Sequence, residues 1–291
     1  MGVRTPTQPG LRALAWASIA SNVLLVVTGG AVRLTGSGLG CPTWPRCTDQ
    51  SFTPHNSLSL HSAIEFSNRM LTFALVVVAV ATFIAAWQSR RRELRLVALG
   101  LLLGIPAQAV IGGIAVLSHL NPWVVSFHLL CSMAMIGLAV LFWHLVERGT
   151  PLGTPVTGKP LLMLAWAVFA VGWAVLYIGT VVTGSGPHAG DRTAPRNGLD
   201  PLELSQLHAD VVMLFIGLTI GLLCVAYATG AGEATRRAAR ILLVVELAQG
   251  AIGFVQYFTG VPVVLVGFHM FGAALVSAAI TWAVLVTREG S

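Results

Sequence analysis

Apolar runs of about 20 residues recur along the whole chain, separated by short polar stretches. Eight can be placed, at about 13–33, 62–87, 96–117, 124–146, 161–183, 205–229, 239–258 and 263–286. At 1.5 Å per residue, each is long enough as a helix to cross about 30 Å of hydrocarbon. Composition agrees: 55% of the 291 residues are hydrophobic, only 10% are charged, and the mean hydropathy is +0.80. These values lie outside the range of ordinary soluble domains, so the predicted fold class is an all-α integral membrane protein with eight transmembrane helices.

The formal net charge of +6 does not form a nucleic-acid-binding stripe, and no nucleic-acid partner is expected. The basic residues fall instead in alternate loops. Arg4 and Arg12 precede span 1, and Arg90, Arg91, Arg92 and Arg95 separate spans 2 and 3. Arg148 and Lys159 separate spans 4 and 5, Arg236, Arg237 and Arg240 separate spans 6 and 7, and Arg288 follows span 8. The positive-inside rule then predicts cytoplasmic N and C termini in a cell membrane, with the long loops 34–60 and 184–204 extracytoplasmic. Reading span 1 as a cleavable signal peptide would leave an odd number of spans and spoil this alternation.

The chain also resembles itself. "GGAVRLTGSGLG" at 29–40 matches "GTVVTGSGPHAG" at 179–190, and the segment from Gln108 matches that from Gln249. In the second pair, Gln108 and His128 correspond to Gln249 and His269 at one offset of 141 residues. This predicts two tandem four-helix bundles of the same orientation, related by a pseudo-twofold axis along the membrane normal. The expected units are residues 1–146, a Pro/Gly/Thr-rich cytoplasmic linker at 147–160, and residues 161–291.

Of eight histidines, His128, His208 and His269 stand near the starts of spans 4, 6 and 8, at similar depth below one surface. Polar anchoring explains any one of them singly. Ionisable groups inside a span usually face the bundle interior, and two imidazoles on alternate helices of one half suit the axial positions of a haem iron. The partner of His128 should lie on span 2, which begins "LHSAIEFSNRMLTF". There His61, Glu65, Asn68 and Thr72 share one helical face, with Arg69 one turn from Glu65. Glu65 and Arg69 fit a neutralised structural pair. They also fit a carboxylate for proton or substrate handling beside an arginine for a carboxylate such as a haem propionate.

"GGAVRLTGSGLGCPTWPRC", "EFSNRM", "FHLLCSMAM", "QLHADVVML" and "GFHMFGAAL", in this order on eight spans, resemble the haem A synthase family, CtaA/Cox15. The likeness runs from about residue 13 to 286. It implies an enzyme that oxidises the C8 methyl group of haem O to a formyl group by successive hydroxylations, supplying haem A for terminal oxidase assembly. It further implies that the C-terminal half holds a haem b cofactor through His208 and His269, while the N-terminal half takes haem O as substrate. Glu65 matches the family's glutamate required for activity, and His128 an N-terminal ligand. Expected partners are the haem O substrate, an unidentified electron acceptor, membrane lipid, a haem O synthase and oxidase assembly factors.

Two positions depart from the family pattern. Many members carry histidine where this chain has Asn68, a poor ligand for iron. His61 can be aligned with His208 ("LHSA" against "LHAD"), whereas the spacing to Gln108 and Gln249 aligns Asn68 with His208 instead. On the second alignment, iron held by His128 keeps an open position; both alignments stay open. The other departure is the loop 184–204, which carries no cysteine, whereas Cys41 and Cys47 in the first loop are placed to form a disulfide on the oxidising side. That loop would cap the N-terminal pocket, with Trp44 offering an apolar face to a macrocycle, and its disulfide suits either a staple or a thiol redox role. His188, Asp191, Arg192 and Arg196 are candidates for propionates or a docking protein.

Two other functions use parts of the same pattern. A di-haem electron-transfer protein of the cytochrome b kind needs the histidines but neither Glu65 nor the cysteine loop. A transporter should show interrupted helices with polar groups at the midplane, and here the polar groups cluster near one surface.

Overall fold

The computed structural model describes residues 7–54, 59–148 and 158–288. Arg4, His55 and residues 149–157 of the expected linker lie outside them. Eight helices account for nearly all of the described chain: α1 (Gln8–Leu34), α2 (Leu60–Gln88), α3 (Arg92–Leu117), α4 (Pro122–Arg148), α5 (Lys159–Ser185), α6 (Pro201–Ala228), α7 (Glu233–Phe258) and α8 (Val263–Thr287). All eight are long and apolar enough to cross a membrane, so this is a multi-pass membrane protein.

Helices α1, α2 and α6 begin before their apolar runs because side chains cap their first turns. Thr7 accepts from the N–H of Gly10, Ser59 from Ser62, and Asp200 from Leu202 and Glu203. Proline in the first turn of α1, α5 and α6 costs no hydrogen bond there. The α3–α4 and α7–α8 turns are built alike. His119 and Leu120 have positive φ, as do Gly260 and Val261, 141 residues later. The N–H groups of Leu120 and Val261 close the two helix ends onto Ala115 and Gln256.

Helices α1–α4 pack in a ring, each on its neighbours in sequence and α1 on α4; α5–α8 repeat that arrangement. The rings meet where α4 and α1 lie on α8 and α4 lies on α5. Small residues bring these backbones close: a Cβ on Gly30 would stand 2.9 Å from Met270 Cε, and one on Gly137 3.0 Å from Thr281 Oγ1. Ser277 and Ser126 donate across the seam to the carbonyls of Met133 and Thr180. The main core runs through α4–α8, and a second one through α1–α4. This topology gathers the starts of α2, α4, α6 and α8, with the loops preceding them, at one end of the molecule.

Candidate functional site

His208 and His269 meet inside the second ring. Their ring centroids are 6.5 Å apart at an interplanar angle of 74°, and both Nδ1 atoms are buried without a hydrogen-bond partner. Two imidazoles bound to one iron at about 2 Å place their ring centres roughly 6–6.5 Å apart, so the pair fits the axial positions of a haem. No three His, Cys, Asp or Glu side chains cluster as a bare metal site among the described residues. A haem asks no more of the protein than axial ligands, because the porphyrin supplies the other donors.

Each of the three deep histidines is seated on a glycine of the neighbouring helix. A Cβ would stand 3.1 Å from His208 Cε1 at Gly179, 3.6 Å from His269 Cε1 at Gly253, and 3.2 Å from His128 Cε1 at Gly112. Gly112 and Gly253 are themselves related by the 141-residue offset that relates His128 to His269. That offset is the signal in the sequence that pairs Gly112 with Gly253, whereas Gly179 has no glycine counterpart in the first half. Gln108 donates to Ser132 Oγ at 2.6 Å and to the carbonyl of His128, fixing α3 on α4 at that level.

The structure separates the two candidates on α2. His61 is exposed at the second residue of the helix, with Nδ1 3.0 Å from Ser37 Oγ. Asn68 lies seven residues further on, about 10 Å deeper, close to the depth of His128 in α4 and His208 in α6. Its Oδ1 is buried and unpaired. Asn68 lines a cavity of about 300 Å³ with Thr28, Ala31, Ala63, Ile64, Ser67 and Leu71. Ala31 stands at the repeat position of Gly179, so the residue facing the smaller Asn68 side is larger by one methyl.

Glu65 is 5% exposed, and both its oxygens are engaged. Oε2 accepts from the N–H of Cys41 at 2.5 Å, and Oε1 accepts from Arg69 at 2.6 and 3.2 Å. The rest of the Arg69 guanidinium donates to the carbonyls of Cys41, Thr43 and Arg46. Its donors are thus spent on Glu65 and the loop rather than left for a propionate. Cys41 and Cys47 form a disulfide and are almost wholly buried. Trp44 lies on α3 over Gly113, where a Cβ would be 2.4 Å from the indole, next to the Gly112 that seats His128.

The second long loop joins this cap. Arg33 of α1, which the sequence reading passed over, donates to the carbonyls of His188 at 2.6 Å and Thr183 at 2.9 Å; Gly38 N–H donates to Gly190 at 2.8 Å. His188 Nε2 is 2.9 Å from the carbonyl of Val261, and Arg196 donates to Ala194 and Pro187. Asp191 accepts from the N–H and Oγ1 of Thr193; these bonds first, then the charges of His61 and Arg192, hold its carboxyl below the usual range. Elsewhere, buried Glu246 of α7 accepts from Thr219 of α6 at 2.7 Å, a partner the sequence did not reveal. Asp210 is exposed and accepts from Gln206 on the face of α6 opposite His208. Cys224 of α6 is exposed and carries a free thiol.

The family model of the cytochrome oxidase assembly protein COX15-CtaA matches residues 12–198. The chain belongs to this family. It is 26% identical to the heme A synthase of Staphylococcus epidermidis over 280 residues, covering 88% of this chain and 89% of that protein. Shorter stretches match the heme A synthases of Lysinibacillus sphaericus, 31% identical over 180 residues (59% of this chain, 58% of that one), and Listeria welshimeri, 30% over 166 residues (54% of each).

Proposed function

We propose that this protein is a haem A synthase: a membrane oxidoreductase that converts the C8 methyl group of haem O to a formyl group for terminal oxidase assembly. The family membership and the full-length likeness to a heme A synthase support the activity. The observation that carries the division of labour is an asymmetry between the halves. The α5–α8 ring pairs His208 with His269, whereas the α1–α4 ring offers His128, the cavity at Asn68 and the buried Glu65.

On this reading the halves are two tandem four-helix bundles related by a pseudo-twofold axis, with the termini cytoplasmic and both long loops extracytoplasmic. His208 and His269 hold a resident haem b, oriented by Gly179 and Gly253. When bound, that haem supplies one-electron redox chemistry. His128 orients haem O in the first half, and Asn68 leaves the opposite side without an imidazole. Glu65 holds or accepts a proton at Oε1 or Oε2 during oxidation of the methyl group. Arg69 and the Cys41 N–H fix that carboxylate, while the loops joined through Arg33 and Gly38 exclude water from above. Conversion of methyl to formyl adds one oxygen and removes two hydrogens, a four-electron oxidation completed by an external acceptor.

Asn68 and the exposed His61 disfavour the di-haem electron-transfer reading, which needs a second pair of facing imidazoles. The test is haem content by pyridine haemochrome and optical spectrum. Wild type should hold haem b, His208→Ala and His269→Ala should lose it, and His128→Ala should retain it. Retention in both α6 and α8 variants would refute the assignment.

A further inference from the structure

The seven residues from Cys41 to Cys47, closed by the disulfide, surround the Arg69 side chain. Carbonyls at 41, 43 and 46 accept from Nη1 and Nη2, and the Cys41 N–H of the same ring reaches Glu65 Oε2. The guanidinium also grips Glu65 Oε1. The ring is therefore a carbonyl cradle for one member of the ion pair and a donor to the other. The cradle is seated from outside as well: Gly40 lies so close to the start of α2 that a Cβ would be 2.4 Å from the His61 carbonyl, and Trp44 rests on Gly113.

We infer that Arg69 is a positioning residue, and that the disulfide-closed loop, through Arg69 and the Cys41 amide, fixes where the Glu65 carboxylate stands. This deepens the reading of Glu65 given above and rests on it for its catalytic meaning, but the geometry it asserts is independent of any bound haem. Three donor contacts converge on the two Glu65 oxygens, and bonds involving charged groups are the strong ones in a desolvated setting. A guanidinium fork serves two carboxylate contacts and three carbonyls at once; an ammonium has three donors and no fixed plane. Opening the ring frees the carbonyls at 41, 43 and 46 to move apart. A dithiol reductant does so by thiol–disulfide exchange: the S–S bond breaks, two electrons and two protons pass to the cysteine sulfurs, and the reductant becomes the disulfide.

The test is carbodiimide labelling of carboxyl groups from the membrane phase, read by peptide mass spectrometry on the purified full chain without added haem. Glu246, held by Thr219 in the other ring, is the internal control. Glu65 labelling should rise about tenfold or more in Arg69→Gln, in Cys41→Ser/Cys47→Ser and after dithiothreitol treatment, the scale of losing one charge-assisted hydrogen bond. Arg69→Lys should fall between Arg69→Gln and wild type, while Glu246 stays unchanged throughout. Unchanged Glu65 labelling in the cysteine variant overturns the proposal. So does a parallel rise at Glu65 and Glu246, because Arg69 would then act on the fold at large. Haem content measured on the same samples tests the synthase reading separately.

Discussion

Gly179 of α5 leaves the space that the imidazole of His208 on α6 occupies: a Cβ there would stand 3.1 Å from Cε1. A branched side chain at Gly179 must push the ring away from His269. Gly179→Val should therefore weaken haem b binding by about tenfold or more, as loss of outer support for a metal ligand typically does. Titration of the haem-depleted protein, followed optically, checks this.

The first ring has Ala31 and Asn68 in the corresponding places, and the converse exchange is equally informative. Ala31→Gly/Asn68→His should create a second imidazole at the depth of His128. The expected outcome is a six-coordinate, low-spin spectrum for haem added to the first half, with loss of turnover. Asn68→His alone should bind less well, because the Ala31 methyl stands in the way.

Glu65→Gln keeps the side-chain volume and removes the carboxylate. Haem b should remain on His208 and His269, while conversion of haem O falls by about a hundredfold or more, the usual scale for loss of a general acid–base group. Haem content and product analysis on one preparation separate the two effects.

Arg33 ties the end of α1 to the end of α5 and to the second long loop by donating to Thr183 and His188. Arg33→Ala leaves both carbonyls without that donor, at a cost of about 1–3 kcal/mol. The variant should melt at lower temperature and be cleaved faster by protease within residues 186–200, with Arg33→Lys recovering part of the loss.

Thr219→Val removes the hydrogen bond to buried Glu246 and should destabilise the second bundle by about 1 kcal/mol, with Thr219→Ser restoring it. Thermal unfolding in detergent measures this.

The eight spans were legible because a helix in hydrocarbon needs an uninterrupted apolar run, and the repeat located the deep histidines. Helix ends were less legible. Polar first turns such as Leu60–Glu65 and Pro201–Ser205 are helical because Ser59 and Asp200 cap them, a local effect that hydropathy does not register. The same omission made His61 attractive: its neighbours match those of His208, yet it sits at the helix start and bonds to Ser37. The Thr219–Glu246 pair was hidden because the 141-residue offset gives Ile105 opposite Glu246, and Ile105 joins an apolar cluster with Leu75 and Ala79. Arg69 was expected to have donors to spare for a ligand, since no spacing rule shows that a loop more than 20 residues earlier wraps around it.

The most direct test of the synthase assignment is to supply haem O to the purified protein in lipid vesicles with an electron acceptor and oxygen, then extract and weigh the tetrapyrroles. The predicted result is a hydroxylated intermediate followed by haem A, carrying one oxygen more and two hydrogens fewer than haem O, with both absent in Glu65→Gln. Recovery of unchanged haem O from folded, haem b-loaded wild type would contradict it.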